Sequence, residues 1–217
     1  AARAGLREGD VIVTMDNTWA TGLYFRPLDH GVDISINAAT KYPSGHSDLL
    51  AGMIAANARA FPKVLKTHGD LGMYLWPDDI FLLLRGLRTM PLRLKQQGAS
   101  ALTIARWLEA RPEVLSVAHP ALPSHPGHAL FKRDFSGASS LFGFTLKPLS
   151  RSQIEAFLDA ASLFGMGYSW GGFESLLIPF DATEFRTATT FAPGGSCFRM
   201  QVGLEDPADL IANLEGA

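Results

Sequence analysis

Cysteine is nearly absent from this sequence: among 217 residues only Cys197 carries a thiol. One thiol excludes an intrachain disulfide, so packing must hold the fold, and a reducing compartment is expected. An excess of positive charge is missing too. Nineteen Lys and Arg face 21 Asp and Glu, a net charge of −2 with His neutral. That excludes the basic field by which proteins attract nucleic acid or anionic membrane. Long apolar runs are lacking: Leu49–Ala58 is too short to span a bilayer. The residues at hand contain no charged segment leading into an apolar one of the secretory kind. The expectations are no membrane, no nucleic acid and a cytoplasmic location. Low-complexity tracts and internal repeats are absent. What is present is 47% hydrophobic residues, enough to bury one sizeable core or two smaller ones.

Both ends read as cut. AARAGLREGD, residues 1–10, reads as the tail of a helix and a turn, and Val11-Ile12-Val13 begins a strand with nothing before it to pair with. The expectation is a piece of a longer protein. Val11–Met15 is a continuous apolar, β-branched run that predicts a strand buried on both faces, as in a parallel sheet. Asp33–Asn37 and Gly52–Ala56 are two further strand candidates, and Asn57-Ala58-Arg59 leads into a helix. Strands and connections repeating over short spans predict an α/β unit.

From Asp78-Asp79 the period becomes helical. Two acids suit the positive end of a helix dipole, and the pattern persists until Pro112. Pro91 and Gly98 lie inside, which predicts one long kinked helix or two joined ones. The domain boundary is placed at Gly86-Leu87, giving domains of residues 1–87 and 88–217. Beyond it, Val114–Ala118, Ser140–Leu146, Ser175–Pro179 and Cys197–Val202 read as strands of a small sheet, and Pro120–Gly127 as a loop. Ser150 with Gln153 three residues later forms a capping box for a helix ending near Ala161. The second domain is expected to be α+β, with a short amphipathic helix at ADLIANLEG.

The chemistry is sought at Lys41, which follows a strand, sits among Ala38, Ala39 and Thr40, and precedes a Pro43-Ser44-Gly45 turn. A lysine packed among small residues can lose solvation, lower its pKa and become nucleophilic; a plain surface lysine is the other reading. Asp16 closes the first strand 25 positions earlier. Ligands of open α/β sheets bind at that end of the strands. Pyridoxal phosphate chemistry needs a lysine amine and an acid facing a pyridine nitrogen. Asp16 as a turn or cap residue is the alternative.

At this point the motifs DNTW (16–19) and AATKYPSGHSD (38–48) resemble the Cys/Met-metabolism pyridoxal-phosphate enzymes of fold type I. RGLRTMPLRL (85–94), HPALPSHPGH (119–128), YSWGGFESL (168–176) and CFRMQVGLED (197–206) match the same family in the same order. The resemblance covers essentially the whole chain. It implies the C-terminal part of a fold type I large domain, α/β with a mostly parallel sheet, followed by a smaller α+β domain. It also implies that the family's glycine-rich phosphate loop and ring-stacking tyrosine belong to a preceding half. A fragment without them is expected to be inactive or weakly active alone. Within the family, Ala38 and YSWGG are most similar to the cystathionine β-lyase branch.

What the resemblance implies for single residues is as follows. Lys41 is the Schiff-base lysine that later moves the α-proton, and Asp16 keeps the pyridine nitrogen protonated. Thr40 is a phosphate ligand, and Arg199 grips the substrate α-carboxylate with its guanidinium fork. Ser169 and Trp170 line the substrate pocket. Each keeps an alternative. Thr40 can bond backbone, Arg199 can share a solvated strand face with Gln201, Trp170 can be core and Gly171-Gly172 a simple turn. His46-Ser47-Asp48 is read as structural, because adjacency in sequence is not triad geometry. His119, His125 and His128 sit in a proline-rich loop without partners at ligand spacing, so no metal is expected. The implied reaction is β-elimination of L-cystathionine, an amino-acid thioether, to homocysteine, pyruvate and ammonia in methionine biosynthesis. A γ-acting relative (γ-synthase, γ-lyase or methionine γ-lyase) and a non-catalytic segment are the alternatives. Relatives form tetramers built from dimers that share sites, so a homo-oligomer is implied.

Overall fold

The computed structural model describes residues 11–183 and 185–217. The expected helix tail and turn at residues 1–10 therefore lie outside the described residues. The chain divides into two compact units: residues up to Pro91 together with Phe135–Gly137, and Leu92–Asp134 together with Ala138–Ala217.

In the first unit, strand β1 (Thr14–Asp16) runs parallel to β2 (Ile34–Ala38), with Asp16 opposite Ile36. Between them lie a one-turn helix α1 (Thr21–Tyr24) and a 3-10 turn at Pro27–His30. Strand β3 (Gly52–Ala56) then joins β2 antiparallel. The expected mostly parallel sheet is thus mixed over these strands. The connection from Ala39 to Ala51 winds into turns, without the crossover helix that usually links parallel neighbours. β1 also starts later than the Val11 expected. Val13 spends its backbone on Asp33: its N–H donates to Asp33 Oδ2 at 2.8 Å, and its carbonyl accepts from the N–H groups of Asp33 and Ile34. Nor is β1 buried on both faces, since Thr14 and Asp16 are exposed and Met15 is half-buried.

Helix α2 (Phe61–Asp70) follows β3, and α3 (Pro77–Glu109) begins with Asp78 and Asp79 in its first turn. α3 is one continuous helix with Pro91 inside it. Its first part packs Leu82, Leu83 and Leu87 on Ala39, Leu49 and Ala51, so the lysine turn rests on this helix. Gly86 is where the two backbones meet. A Cβ there would lie 2.3 Å from the Ser44 carbonyl oxygen and 2.6 Å from that of Pro43.

The second unit holds a four-stranded antiparallel sheet in the order β4-β5-β7-β6. Its strands are β4 (Val114–Ala118), β5 (Leu141–Leu146), β6 (Leu176–Pro179) and β7 (Ser196–Gln201). Helices α4 (His128–Asp134), α5 (Arg151–Ala160) and α6 (Pro207–Glu215) complete it. The capping box forms as read: Gln153 N–H donates to Ser150 Oγ, and Ser150 N–H donates to Gln153 Oε1. Asp206 caps α6 by accepting from Ala208 N–H. The core of this unit centres on Phe198, whose ring stacks on Phe144 at 5.4 Å and meets Phe157 edge-on at 5.2 Å. Ile104, Leu122, Leu177, Met200 and Leu210 fill in around it. Among the described residues no helix is long and apolar enough to cross a membrane.

His119 is wholly buried against Phe142, 5.4 Å between ring centroids, and its Nδ1 accepts from Ala121 N–H. Burial, with smaller contributions from His125 and Arg106, pushes its pKa down to about 4. Between its ordinary value near 6.5 and about 4 the unfolded chain binds a proton that the folded one refuses. The stability His119 confers is therefore present above pH 6.5 and lost as pH falls toward 4. Urea titrations at pH 7, 5.5 and 4.5 should show a steeper loss in the wild type than in His119→Leu; parallel losses would remove the assignment. A second measurement concerns Gly86. Gly86→Ala should destabilise the fold by about 1–3 kcal/mol through overpacking on the Pro43–Ser44 backbone. Gly69→Ala, in α2 with open space at its Cβ, should stabilise slightly through helix propensity. Thermal melts giving both changes the same sign would refute this packing.

Candidate active site

The lysine turn is built almost entirely from its own backbone. Lys41 N–H donates to Ala38 O, Ser44 N–H to Ala39 O and Gly45 N–H to Lys41 O. Ser44 Oγ donates to Thr40 O at 2.9 Å. Gly45, at φ +68°, takes the left-handed conformation that ends the turn. Tyr42 is fully buried and Lys41 half-buried, so the lysine stands on a wound, anchored segment. Its α-carbon lies three residues past the end of β2.

Asp16 is the last residue of β1. Since β1 and β2 are parallel, both strands end at the same edge, and that edge carries Asp16 and Lys41 together. Asp16 is exposed, and its carboxylate is already oriented. Oδ1 accepts from Thr18 N–H at 2.8 Å and from Thr18 Oγ1 at 2.5 Å. Thr18 Oγ1 in turn accepts Ala38 N–H at 2.9 Å, which ties the aspartate to the end of β2. Asn17 closes the turn below it, donating through Nδ2 to the carbonyls of Thr21 at 2.7 Å and Phe25 at 3.0 Å. Thr18, which holds Asp16, is a residue that sequence reading did not single out. The signal available was an Asp followed two positions later by Thr, a spacing at which side chain and backbone close a local turn.

Thr40 takes the backbone alternative in this structure: Oγ1 accepts Ala51 N–H at 3.0 Å and lies 3.3 Å from Ala51 O. His46 bonds the Ser44 carbonyl through Nδ1 at 2.6 Å. His125 Nδ1 accepts from Gly127 N–H, and His128 Nδ1 bonds the Pro120 carbonyl, so these rings hold loop backbone.

In the second unit, Arg199 and the segment carrying Ser169 and Trp170 come together. Arg199 Nη2 donates to Tyr168 O at 2.7 Å and to Gly167 O at 3.3 Å. Burial pushes the guanidinium pKa down from its ordinary value, with Tyr168 opposing weakly. Ser169 is exposed and Trp170 half-buried. The alternative of a solvated face shared by Arg199 and Gln201 fails at Gln201, which is only 1% exposed. Its amide is satisfied internally: Nε2 donates to Val202 O at 2.9 Å, and Oε1 accepts Ser140 Oγ at 2.9 Å. With both sides of β7 covered at Gln201, alternation there separates apolar from polar burial, not buried from wet.

The edge of the first unit fits pyridoxal phosphate by the chemistry of its groups. Asp16 has one carboxylate oxygen held by Thr18, while Oδ2 accepts from no described residue and is available to a protonated ring nitrogen. Lys41 supplies the amine at the same edge, and Thr40 a hydroxyl beside it.

The comparisons point to the same cofactor. The family described as "Cys/Met metabolism PLP-dependent enzyme" matches residues 2–217. A protein of Rhizobium johnstonii, provisionally named cystathionine beta-lyase, is 55% identical over 208 residues, covering 94% of this chain and 52% of its own. Cystathionine beta-lyase MetC of Escherichia coli K12 is 44% identical over 210 residues, covering 95% and 53%. Among solved structures, a cystathionine gamma synthase from Xanthomonas oryzae pv. oryzae in complex with cystathionine superposes with a TM-score of 0.85 at 33% identity. That superposition covers 94% of this chain and 54% of the synthase. The chain spans about half the length of the curated relatives it matches. A match that runs from residue 2 to residue 217 shows that the chain belongs to the Cys/Met-metabolism family of pyridoxal-phosphate-dependent enzymes, with pyridoxal 5′-phosphate as cofactor.

Proposed function

We propose that the protein carrying this chain is a carbon–sulfur lyase that β-eliminates L-cystathionine to homocysteine, pyruvate and ammonia. The observation that carries the proposal is the parallel register that brings Asp16 and Lys41 to one sheet edge. The names of the most similar relatives support the choice of substrate. When bound, pyridoxal phosphate supplies an aldehyde that condenses with amines and a pyridine ring that drains charge from the substrate α-carbon.

The work of the chain is then positional and acid–base. Lys41 would hold the cofactor aldehyde before substrate arrives and, once free, would take the proton from the α-carbon. Asp16, fixed by Thr18, holds a proton at the ring nitrogen through Oδ2. Thr40 offers its hydroxyl hydrogen to a phosphate oxygen. Arg199 takes the substrate α-carboxylate through the nitrogens it does not spend on Gly167 and Tyr168, and Ser169 and Trp170 line the pocket. The Cβ–S bond breaks with its electron pair on sulfur, and the thiolate leaves as homocysteine once protonated. Water then releases pyruvate and ammonia from the three-carbon remainder. Full activity draws on the groups that the family resemblance assigns to the preceding half of the protein. The setting proposed is cytoplasmic methionine biosynthesis, in a homo-oligomer.

The solved γ-synthase neighbour favours a second reading, in which the same residues serve a γ-acting enzyme with a further proton shift at Cβ. The products separate the two. In the full-length protein with cofactor, cystathionine should give pyruvate in excess of 2-oxobutyrate; the reverse ratio would replace β-elimination by γ-elimination. Lys41→Ala should lose the absorbance band that the lysine-bound cofactor shows at the visible–ultraviolet border, and at least about 10³-fold in turnover. An unchanged band would remove the Lys41 assignment. Asp16→Asn should lower kcat by at least about 10²-fold while shifting the midpoint of thermal unfolding by a few degrees at most, as expected of an exposed residue. Comparable losses of rate and stability would make Asp16 a turn residue only.

A further inference from the structure

The segment from Gly167 to Gly172 belongs to no helix or strand, and it includes Gly167, Gly171 and Gly172. Gly171 sits at φ +83°, a conformation that glycine adopts freely. A stretch of this composition does not fix its own shape; the structure fixes it by side chains from elsewhere in the second unit. At one end Arg199 Nη2 holds the carbonyls of Gly167 and Tyr168. At the other end Gln97 Nε2, from helix α3, donates to the Gly172 carbonyl at 2.6 Å across 75 residues of sequence. Gln201 Nε2 adds a longer contact of 3.5 Å to the same oxygen. Ser169 and Trp170 lie between these two anchor points.

Gln97 is fully buried, and its Oε1 has no hydrogen-bond partner among the described residues. Burying an amide with one group unsatisfied disfavours folding relative to an apolar side chain of the same shape. A core that needed only volume would be better served by leucine or methionine. Among the described residues, the carbonyl to which this amide donates is that of Gly172.

We propose that Gln97 is a positioning residue for substrate binding: through Gly172 it holds the Ser169–Trp170 segment in register with Arg199. It touches neither substrate nor cofactor. The inference rests on the reading of Ser169 and Trp170 as pocket residues. It makes the Tyr168–Gly172 backbone a two-point clamp whose second jaw is Gln97. Because Arg199 spends one nitrogen on Tyr168, loosening the Gly172 end also frees the backbone against which the guanidinium is braced.

The test is Gln97→Met in the full-length protein loaded with cofactor, with Gln201→Met as the second variant. Removing one buried hydrogen bond should speed amide exchange in residues 168–172 by about tenfold, with exchange in β5 and β7 unchanged. KM for cystathionine should rise about five- to tenfold with kcat within about twofold, the signature of lost ground-state and transition-state binding alike. Gln201→Met, which loses the longer contact together with its bonds to Val202 and Ser140, should show a smaller effect at 168–172 and on KM, accompanied by faster exchange beside Ser140. If Gln97→Met does not fold, Gln201→Met carries the same two readouts. Unchanged exchange at 168–172 overturns the clamp itself. Faster exchange there with unchanged KM overturns the positioning role and, with it, the assignment of Ser169 and Trp170 to the pocket. Exchange that rises throughout the second unit makes Gln97 a core residue and nothing more.

Discussion

The parallel hydrogen-bonded pairing of β1 with β2 is the constraint from which the candidate site follows. Parallel strands cannot be joined by a tight turn, so the chain must cross back before β2 begins, and both strands then end at one edge. The crossover here is short, α1 and the Pro27–His30 turn, and the register is held at each end by a side chain. At the start, Asp33 takes Val13 N–H on Oδ2 and Asn57 Nδ2 on Oδ1, with Arg59 3.6 Å away. At the finish, Thr18 spans from Asp16 to Ala38 N–H. A slip of one residue would turn Asp16 to the opposite face, and either anchor resists it.

The second unit solves a different problem. Its sheet is antiparallel throughout, and β7 is paired on both sides, by β5 and by β6. Phe198 and Met200 enter the aromatic core, while Arg199 and Gln201 leave the other face of the strand. A buried polar group must find partners. Gln201 finds Ser140 and Val202, and Arg199 finds the carbonyls of Gly167 and Tyr168. Polar residues on a central strand thereby become struts for the loop beside it, and the arginine arrives at the surface already braced.

How much of this was legible in the sequence depended on the range of the forces involved. β3, β4, the capping box at Ser150 and the acidic start of α3 were readable, because β-propensity, dipole complementarity and capping act within a few residues. Lys41 and Asp16 could be singled out as candidates because their neighbours form motifs. The late start of β1 was not, since it depends on Val13 bonding Asp33, 20 residues on. Helix α4 escaped because it is a short helix just after a proline-rich loop. The burial of Gln201 and the part played by Gln97 could not be read at all. An alternating strand looks half-wet until the partner that satisfies its amide is known, and Gly172 lies 75 residues from Gln97.

Thr40 shows how one side chain can meet two demands at this edge. Its hydroxyl accepts Ala51 N–H at 3.0 Å, which staples the lysine turn to the strand that follows. Its own hydrogen faces Ala51 O at 3.3 Å, beyond the usual length of an O–H···O bond. Accepting and donating use different parts of a hydroxyl. The accepting bond is structural and can persist while the hydrogen turns toward an anion, giving up only a long contact. Ala51 O is not stranded by that turn, because Thr40 N–H donates to it at 3.2 Å. The backbone alternative and the phosphate role for Thr40 are therefore compatible.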